Sequence, residues 1–185
     1  GWRGTCTQWQ SNVDRNYLMT FYAPGWLPMI IDLSDVTDPE VLEFIAYWSS
    51  VKGESFAPTW KRFNLPGLNP KLVPYVIVAD AIRDGAVDEV VDFVIRFWGT
   101  GQTEWKGADK TGKRTRDFPQ FRGPEGWEEY LRVVREKRPI ASRDTVYREQ
   151  YGKRVNIEQI QVRVPLSDDG IHVTKVATFG SWSKV

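Results

Sequence analysis

Residues 155–170 read VNIEQIQVRVPLSDDG, and the spacing of apolar side chains in this stretch limits the fold more than any other feature of the chain. Ile160, Val162, Val164 and Leu166 recur at every second position. An extended backbone sends successive side chains to opposite sides, so these four share one face of a strand. SDDG (167–170) supplies turn residues, and a tight hairpin there returns the chain into IHVTKVATFGSW. A strand with one apolar face needs hydrogen-bonded neighbours and a cover for that face. The chain must therefore build antiparallel sheet and bury a side of it.

The other elements follow from the same kind of pattern. Asp38-Pro39-Glu40 carries a capping carboxylate, a proline at the first helical position and an acid in the first turn. Val41, Leu42, Ile45 and Trp48 then recur at helical spacing up to Gly53, which predicts a helix over 38–52. The proline-punctuated segment 56–74 is a connection in which Asn69-Pro70 opens a short helical turn. YVIVAD (75–80) and VDFVIRFWGT (91–100) are strands joined through Asp84-Gly85. In the second of them Val91, Phe93, Ile95 and Phe97 form the expected core face, and Asp92, Val94, Arg96 and Trp98 the opposite one. A second helix spans 123–139 with Trp127, Tyr130, Leu131 and Val134 as its stripe, and IASRDTVYRE begins the final three-stranded run. Residues 1–31 show no period and are read as an irregular arm ahead of a domain at 32–185.

Composition narrows the chemistry. Forty-one per cent hydrophobic residues and nine tryptophans are ample for one packed domain of 185 residues. A net charge of +1 gives no reason to expect nucleic acid or an anionic membrane as partner. Cys6 and His172 are each the only residue of their type, so cysteine zinc clusters, internal disulfides and histidine-rich metal sites are excluded. The longest apolar runs are too short to span a bilayer, and the expectation is a cytoplasmic protein without a metal.

GADKTGKR (107–114) holds the one stretch with the look of a reactive motif. DKTG matches the aspartyl-phosphate core of ion pumps, but Lys113-Arg114-Thr115 replaces the continuation of that motif and nothing supplies a nucleotide module. Gly107, Gly112 and Lys113 match a phosphate loop, yet Arg114 stands where a magnesium-binding hydroxyl is needed and Pro119 interrupts the helix that should follow. Asp109, Thr111 and Gly112 make better sense as a turn: a carboxylate accepting backbone N–H groups, then a left-handed glycine. Arg96 and Asp109 are expected to pair across the end of the second strand, with Arg96 as a ligand clamp the alternative.

Taken in order, several segments resemble a PAS-domain family of small stand-alone bacterial, mainly alphaproteobacterial, proteins. They are Tyr47-Trp48, Pro58, Asn69-Pro70 before LVPYVIVAD, FVIRFWGT, GADKTG, the Tyr130 helix ending at Pro139, and VRVPLSDDG, together spanning residues 32–180. Asn69 stands where that family usually carries aspartate. The resemblance implies an α+β fold, a five-stranded antiparallel sheet with helices on one face and a cavity beneath the helical excursion between strands two and three. It also implies a sensory, ligand-binding or signalling module without catalysis, acting through a partner protein or a homodimer. The alternatives are an interaction scaffold whose cavity is filled by its own aromatics, and a small enzyme on the same sheet. Candidate cavity residues are Phe93, Ile95, Arg96, Phe97, Trp105, Trp127, Tyr130, Tyr147 and Arg163, each of which core packing would also explain. No catalytic residue is nominated, and no cofactor is assigned: the photoreactive flavin type needs a cysteine in the excursion, where Cys6 is not, and His172 reads as a strand residue near the sheet rim. Phe44 and Tyr47, outside the stripe of the first helix, offer apolar surface for a homodimer.

Overall fold

The computed structural model describes residues 20–22, 29–106, 108–117, 124–150 and 153–184. Its first helix, α1 (Pro39–Lys52), starts as its sequence dictates. The Asp38 carboxylate accepts the backbone N–H groups of Glu40 at 2.9 Å and Val41 at 3.0 Å, and Gly53 takes a positive φ after the last turn. Its buried residues are Val41, Phe44 and Trp48. Leu42, expected in the stripe, is 44% exposed, while Phe44 is fully buried and stacks on Phe179 at 5.3 Å. Phe44 is therefore core, not spare surface for a partner.

Seven strand segments form one sheet in which every pairing is antiparallel: β1 (Thr20–Tyr22), β2 (Met29–Ile31), β3 (Val76–Arg83), β4 (Val90–Trp98), β5 (Ile140–Gln150), β6 (Lys153–Leu166) and β7 (Lys175–Lys184). β1 pairs with residues 146–148 of β5 and β2 with residues 141–143, so the two lie end to end in one column. The order across the sheet is that column, then β5, β6, β7, β3 and β4. The five expected strands are β3 to β7. The sixth column comes from the arm that the sequence presents as irregular, and it covers an edge of β5 whose backbone groups would otherwise face solvent. The β6–β7 hairpin is also longer-tipped than a tight turn: Leu166 pairs with Lys175 and the connection runs over 167–174.

Two strands are thus followed by an excursion and then by three more strands. The excursion holds α2 (Thr100–Lys106) and α3 (Pro124–Glu136). The expectation that helices cover one face is corrected by the packing. Val76 and Val78 of β3 belong to a core with Phe44, Trp48, Phe63 and Phe179, whereas Ile77 and Ala79 belong to a second core with Phe93, Ile95, Tyr130 and Val133. Both sides of the central strands are apolar, so each demands a cover: α1 with the 53–75 connection on one side, α3 on the other. The first cover is pinned by the Trp48 indole, which donates to the Pro165 carbonyl at 2.8 Å, and by the Ser181 hydroxyl, 2.7 Å from the Asp38 carboxylate. Among the described residues no helix is long and apolar enough to cross a membrane.

Candidate functional site

The side of the sheet beneath the excursion is built by two departures from regular pairing. Between β3 and β4 the register slips twice: Val78 faces Phe97 and Ala79 faces Ile95, then Ile82 faces Asp92 and Arg83 faces Val90. Arg96 and Val91 are the extra residues, and each extra residue reverses which side the next one faces. Phe93, Ile95 and Trp98 consequently pack under α3, while Phe97 joins the α1 core. The expected grouping of Val91, Phe93, Ile95 and Phe97 is broken: Val91 is 42% exposed and Phe97 lies on the other side.

Across this side of the sheet, residues paired in register form rows. Arg163 lies between Ile140 and Thr178, Gln161 between Ser142 and Gly180, and Gln159 beside Trp182. Arg163, Gln161, Gln159, Ser142 and Thr178 are all buried, which no row of polar side chains on a free sheet face would be. What buries them includes α3. Its Glu129 places Oε2 2.5 Å from Arg163 Nη1, with both side chains nine-tenths buried. Arg163 donates from Nη2 to Gln161 Oε1 at 2.6 Å, and Nη1 lies 3.4 Å from the Ser142 hydroxyl. The guanidinium carbon sits 5.3 Å from the centre of the Tyr130 ring, whose hydroxyl is 3.3 Å from that of Thr178. Burial pushes the Tyr130 phenol above its ordinary range, against the opposing pull of Arg163.

This network is incomplete. Among the described residues, seven buried side-chain nitrogen or oxygen atoms lack a hydrogen-bond partner, and five belong to this side: Trp98 Nε1, Gln102 Oε1, Glu129 Oε1, Gln159 Nε2 and Arg163 Nε. Gln102, on α2, spends its amide N–H on the Tyr75 carbonyl at 2.6 Å and leaves its oxygen unmet. A buried polar atom without a partner costs about 1–3 kcal/mol. Five around one covered surface mark it as unlike the rest of the core. Its margin is aromatic: Trp105 of α2 stacks on Trp182 at 5.1 Å with rings 6° from parallel, and a β-carbon at Gly180 would lie 2.8 Å from the Trp182 ring, which is folded over it.

ADKTGKR (108–114) lies at the edge of this region and acts as a fastening. Asp109 accepts the Thr111 N–H at 2.8 Å and the Thr111 hydroxyl at 2.7 Å, bonds that hold its carboxyl below the usual range, and Gly112 has φ +78°. Residues 112–114 then pair with the edge of β4 through Gly112 N–H to the Ile95 carbonyl and Ile95 N–H to the Lys113 carbonyl. Arg114, Thr115 and Arg116 clasp Asp92. Its fully buried carboxylate meets Arg116 Nε at 2.5 Å, the Thr115 hydroxyl at 3.0 Å and Arg114 at 3.5 Å. Burial alone would raise this carboxyl, but the Phe93 N–H, Arg116 and Thr115 more than offset it and hold it below the ordinary range. The expected Arg96–Asp109 pair is absent. Arg96 meets Asp80 of β3 at 2.7 Å, because as a bulge residue it projects toward its neighbouring strand and away from the turn.

Of the residues nominated from sequence, the fold brings Phe93, Ile95, Trp127, Tyr130 and Arg163 together, with Phe93 centred 5.0 Å from Tyr130 and 5.5 Å from Trp127. Trp105 stands at the margin, and Arg96 and Phe97 lie outside the cluster. Tyr147 pairs with Asn156 through β5, and its side chain lies outside the described residues. Glu129, Gln159, Gln161, Ser142 and Gln102 were not nominated. In sequence, Gln159 and Gln161 alternate with the apolar stripe of β6, the position a solvent-facing residue would also take. Only α3 packing upon them changes that. Among the described residues no group of three or more His, Cys, Asp or Glu side chains converges to hold a metal. No protein-family model matches the chain, and neither a curated protein nor a solved structure does.

Proposed function

We propose that the chain is a PAS-like sensory module that binds a small molecule between its sheet and the α2–α3 excursion, without catalysing a reaction, and passes the event to a partner. The observation that carries this reading is the set of five unpartnered polar atoms on one covered surface. Two strands, a helical excursion and three strands agree with the PAS arrangement that the sequence resembles. The chemistry of the surface indicates the ligand. Arg163 is neutralised by Glu129, leaving three donors and two acceptors to be met. An uncharged molecule carrying both carbonyl-type acceptors and N–H or O–H donors would meet them, whereas an alkyl chain would meet none. Among the described residues of this surface, the holding of Glu129 by Arg163 and the raised Tyr130 phenol favour binding over proton transfer in this reading.

Native mass spectrometry of the purified chain, followed by denaturation, tests the reading. A small neutral molecule released on denaturation, and lost from Arg163→Met protein, is the expected result. A bare chain that is not stabilised against heat by any member of a library of neutral heterocycles and amides would overturn it. The stacked Trp105–Trp182 pair favours a second reading, a scaffold whose cavity is closed by its own aromatics, and that second result is the one it requires.

A further inference from the structure

His172 lies at the other end of the sheet, in the connection between β6 and β7. Its Nδ1 is 2.8 Å from Asp169 Oδ2, within its own turn, and its Nε2 is 3.0 Å from Asp88 Oδ2, on the tip of the β3–β4 hairpin. Carboxylate oxygens only accept, so both contacts hold as hydrogen bonds only when both ring nitrogens carry protons. A neutral imidazole has one N–H and can serve one of the two.

The two carboxylates are not equally replaceable. Asp169 is fixed by its own turn: it also accepts the backbone N–H groups of Ile171 and His172, each at 2.8 Å, and the Ser167 hydroxyl at 3.2 Å. These bonds hold its carboxyl far below the usual range. The Asp88 contact instead joins two hairpins that are distant in sequence. Asp88 and Lys137 are also the two non-glycine residues with positive φ among those described, at 54° and 51°. Both flank the histidine turn, since the Lys137 ammonium donates to the Ile171 carbonyl at 2.7 Å just beyond the end of α3. A left-handed conformation at such residues persists where surrounding contacts hold it.

We infer that His172 is a proton-dependent tie: as imidazolium it fastens the β3–β4 tip to the β6–β7 connection beside the end of α3, and on losing a proton it keeps Asp169 and releases Asp88. The charged groups around it fit this assignment. Arg83 reaches the Asp88 carbonyl at 2.7 Å and its carboxylate at 3.4 Å, holding Asp88 in place without touching the imidazole. Lys137 is engaged with a carbonyl, and Asp168, next to Asp169 in the turn, is paired with Lys175. Asp84 turns its carboxylate to the Ala86 N–H. The tie stands whether or not the opposite end of the sheet binds a ligand.

The test uses the ligand-free chain. His172 is its only histidine, so every imidazole nitrogen resonance belongs to it. Imidazole nitrogen spectra and amide hydrogen exchange are followed from about pH 5 to about pH 8, the interval in which imidazole side chains exchange their proton. In the wild type, exchange at residues 84–89, corrected for its intrinsic pH dependence, should be about two- to fivefold faster where the nitrogen spectra show one ring N–H than where they show two, the size of an exposed ion pair. Asp88→Asn should abolish that step. Equal exchange in the two-N–H and one-N–H forms of the ring, or the same step in Asp88→Asn, would overturn the inference.

Discussion

Removing one member of the Arg163–Glu129 pair is the perturbation whose size the structure fixes best. Their side chains are 7% and 6% exposed, so neither charge can turn to water when its partner goes. In Glu129→Leu the guanidinium keeps, among the described residues, the neutral acceptors Gln161 and Ser142 and the face of Tyr130. In Arg163→Met the carboxylate, already carrying one unmet oxygen, loses the one charged contact it makes among the described residues. Stranding a buried charge costs about 3–5 kcal/mol. For a domain of this size, each kcal/mol is worth roughly 2–4 °C in melting temperature, so each single variant should melt about 6–20 °C below the wild type. The double variant removes both charges and, with them, the unmet Glu129 Oε1 and Arg163 Nε. It should recover to within about 1–2 kcal/mol of the wild type, because a well-packed apolar replacement for a buried ion pair is often neutral. Urea unfolding of all four proteins, followed by circular dichroism, measures the cycle. Single losses below about 1 kcal/mol, or a double loss equal to the sum of the singles, would refute the claim that this pair is desolvated and mutually dependent.

Three further outcomes are expected. Trp48→Phe leaves the buried Pro165 carbonyl without its donor and should lower unfolding free energy by about 1–3 kcal/mol in the same urea assay. Asp92→Asn should weaken the clasp with Arg114 and Arg116. The carboxyl is depressed in the folded state, so its contribution is complete above the unfolded carboxylate range and is lost as pH falls through the folded value; the stability gap between wild type and variant should narrow on acidification below about pH 4. Gly112→Ala places a β-carbon on a residue at φ +78° and should cost about 1–2 kcal/mol, read as faster amide exchange over 109–114 and along the β4 edge.

The features legible in the amino-acid order are those whose cause lies within a few residues. The cap at Asp38 and the Asp109–Thr111 turn rest on a side chain meeting backbone two or three positions away, the stop at Gly53 on a backbone conformation that glycine adopts freely, and the alternation along β6 on the geometry of an extended chain. Any fold that accommodates them keeps them. Tertiary structure decided the rest, because the partner was far along the chain. Arg96 sits with Asp80 because a bulge, set by the pairing of β4 with β3, redirected it. Residues 20–22 and 29–31 became strand because β5 had an open edge to cover. Gln159, Gln161 and Arg163 show the limit most sharply. Alternation places them opposite the apolar stripe, but whether that side meets water or Glu129 of α3 depends on where a helix comes to rest, and burial is a property of the assembled layers.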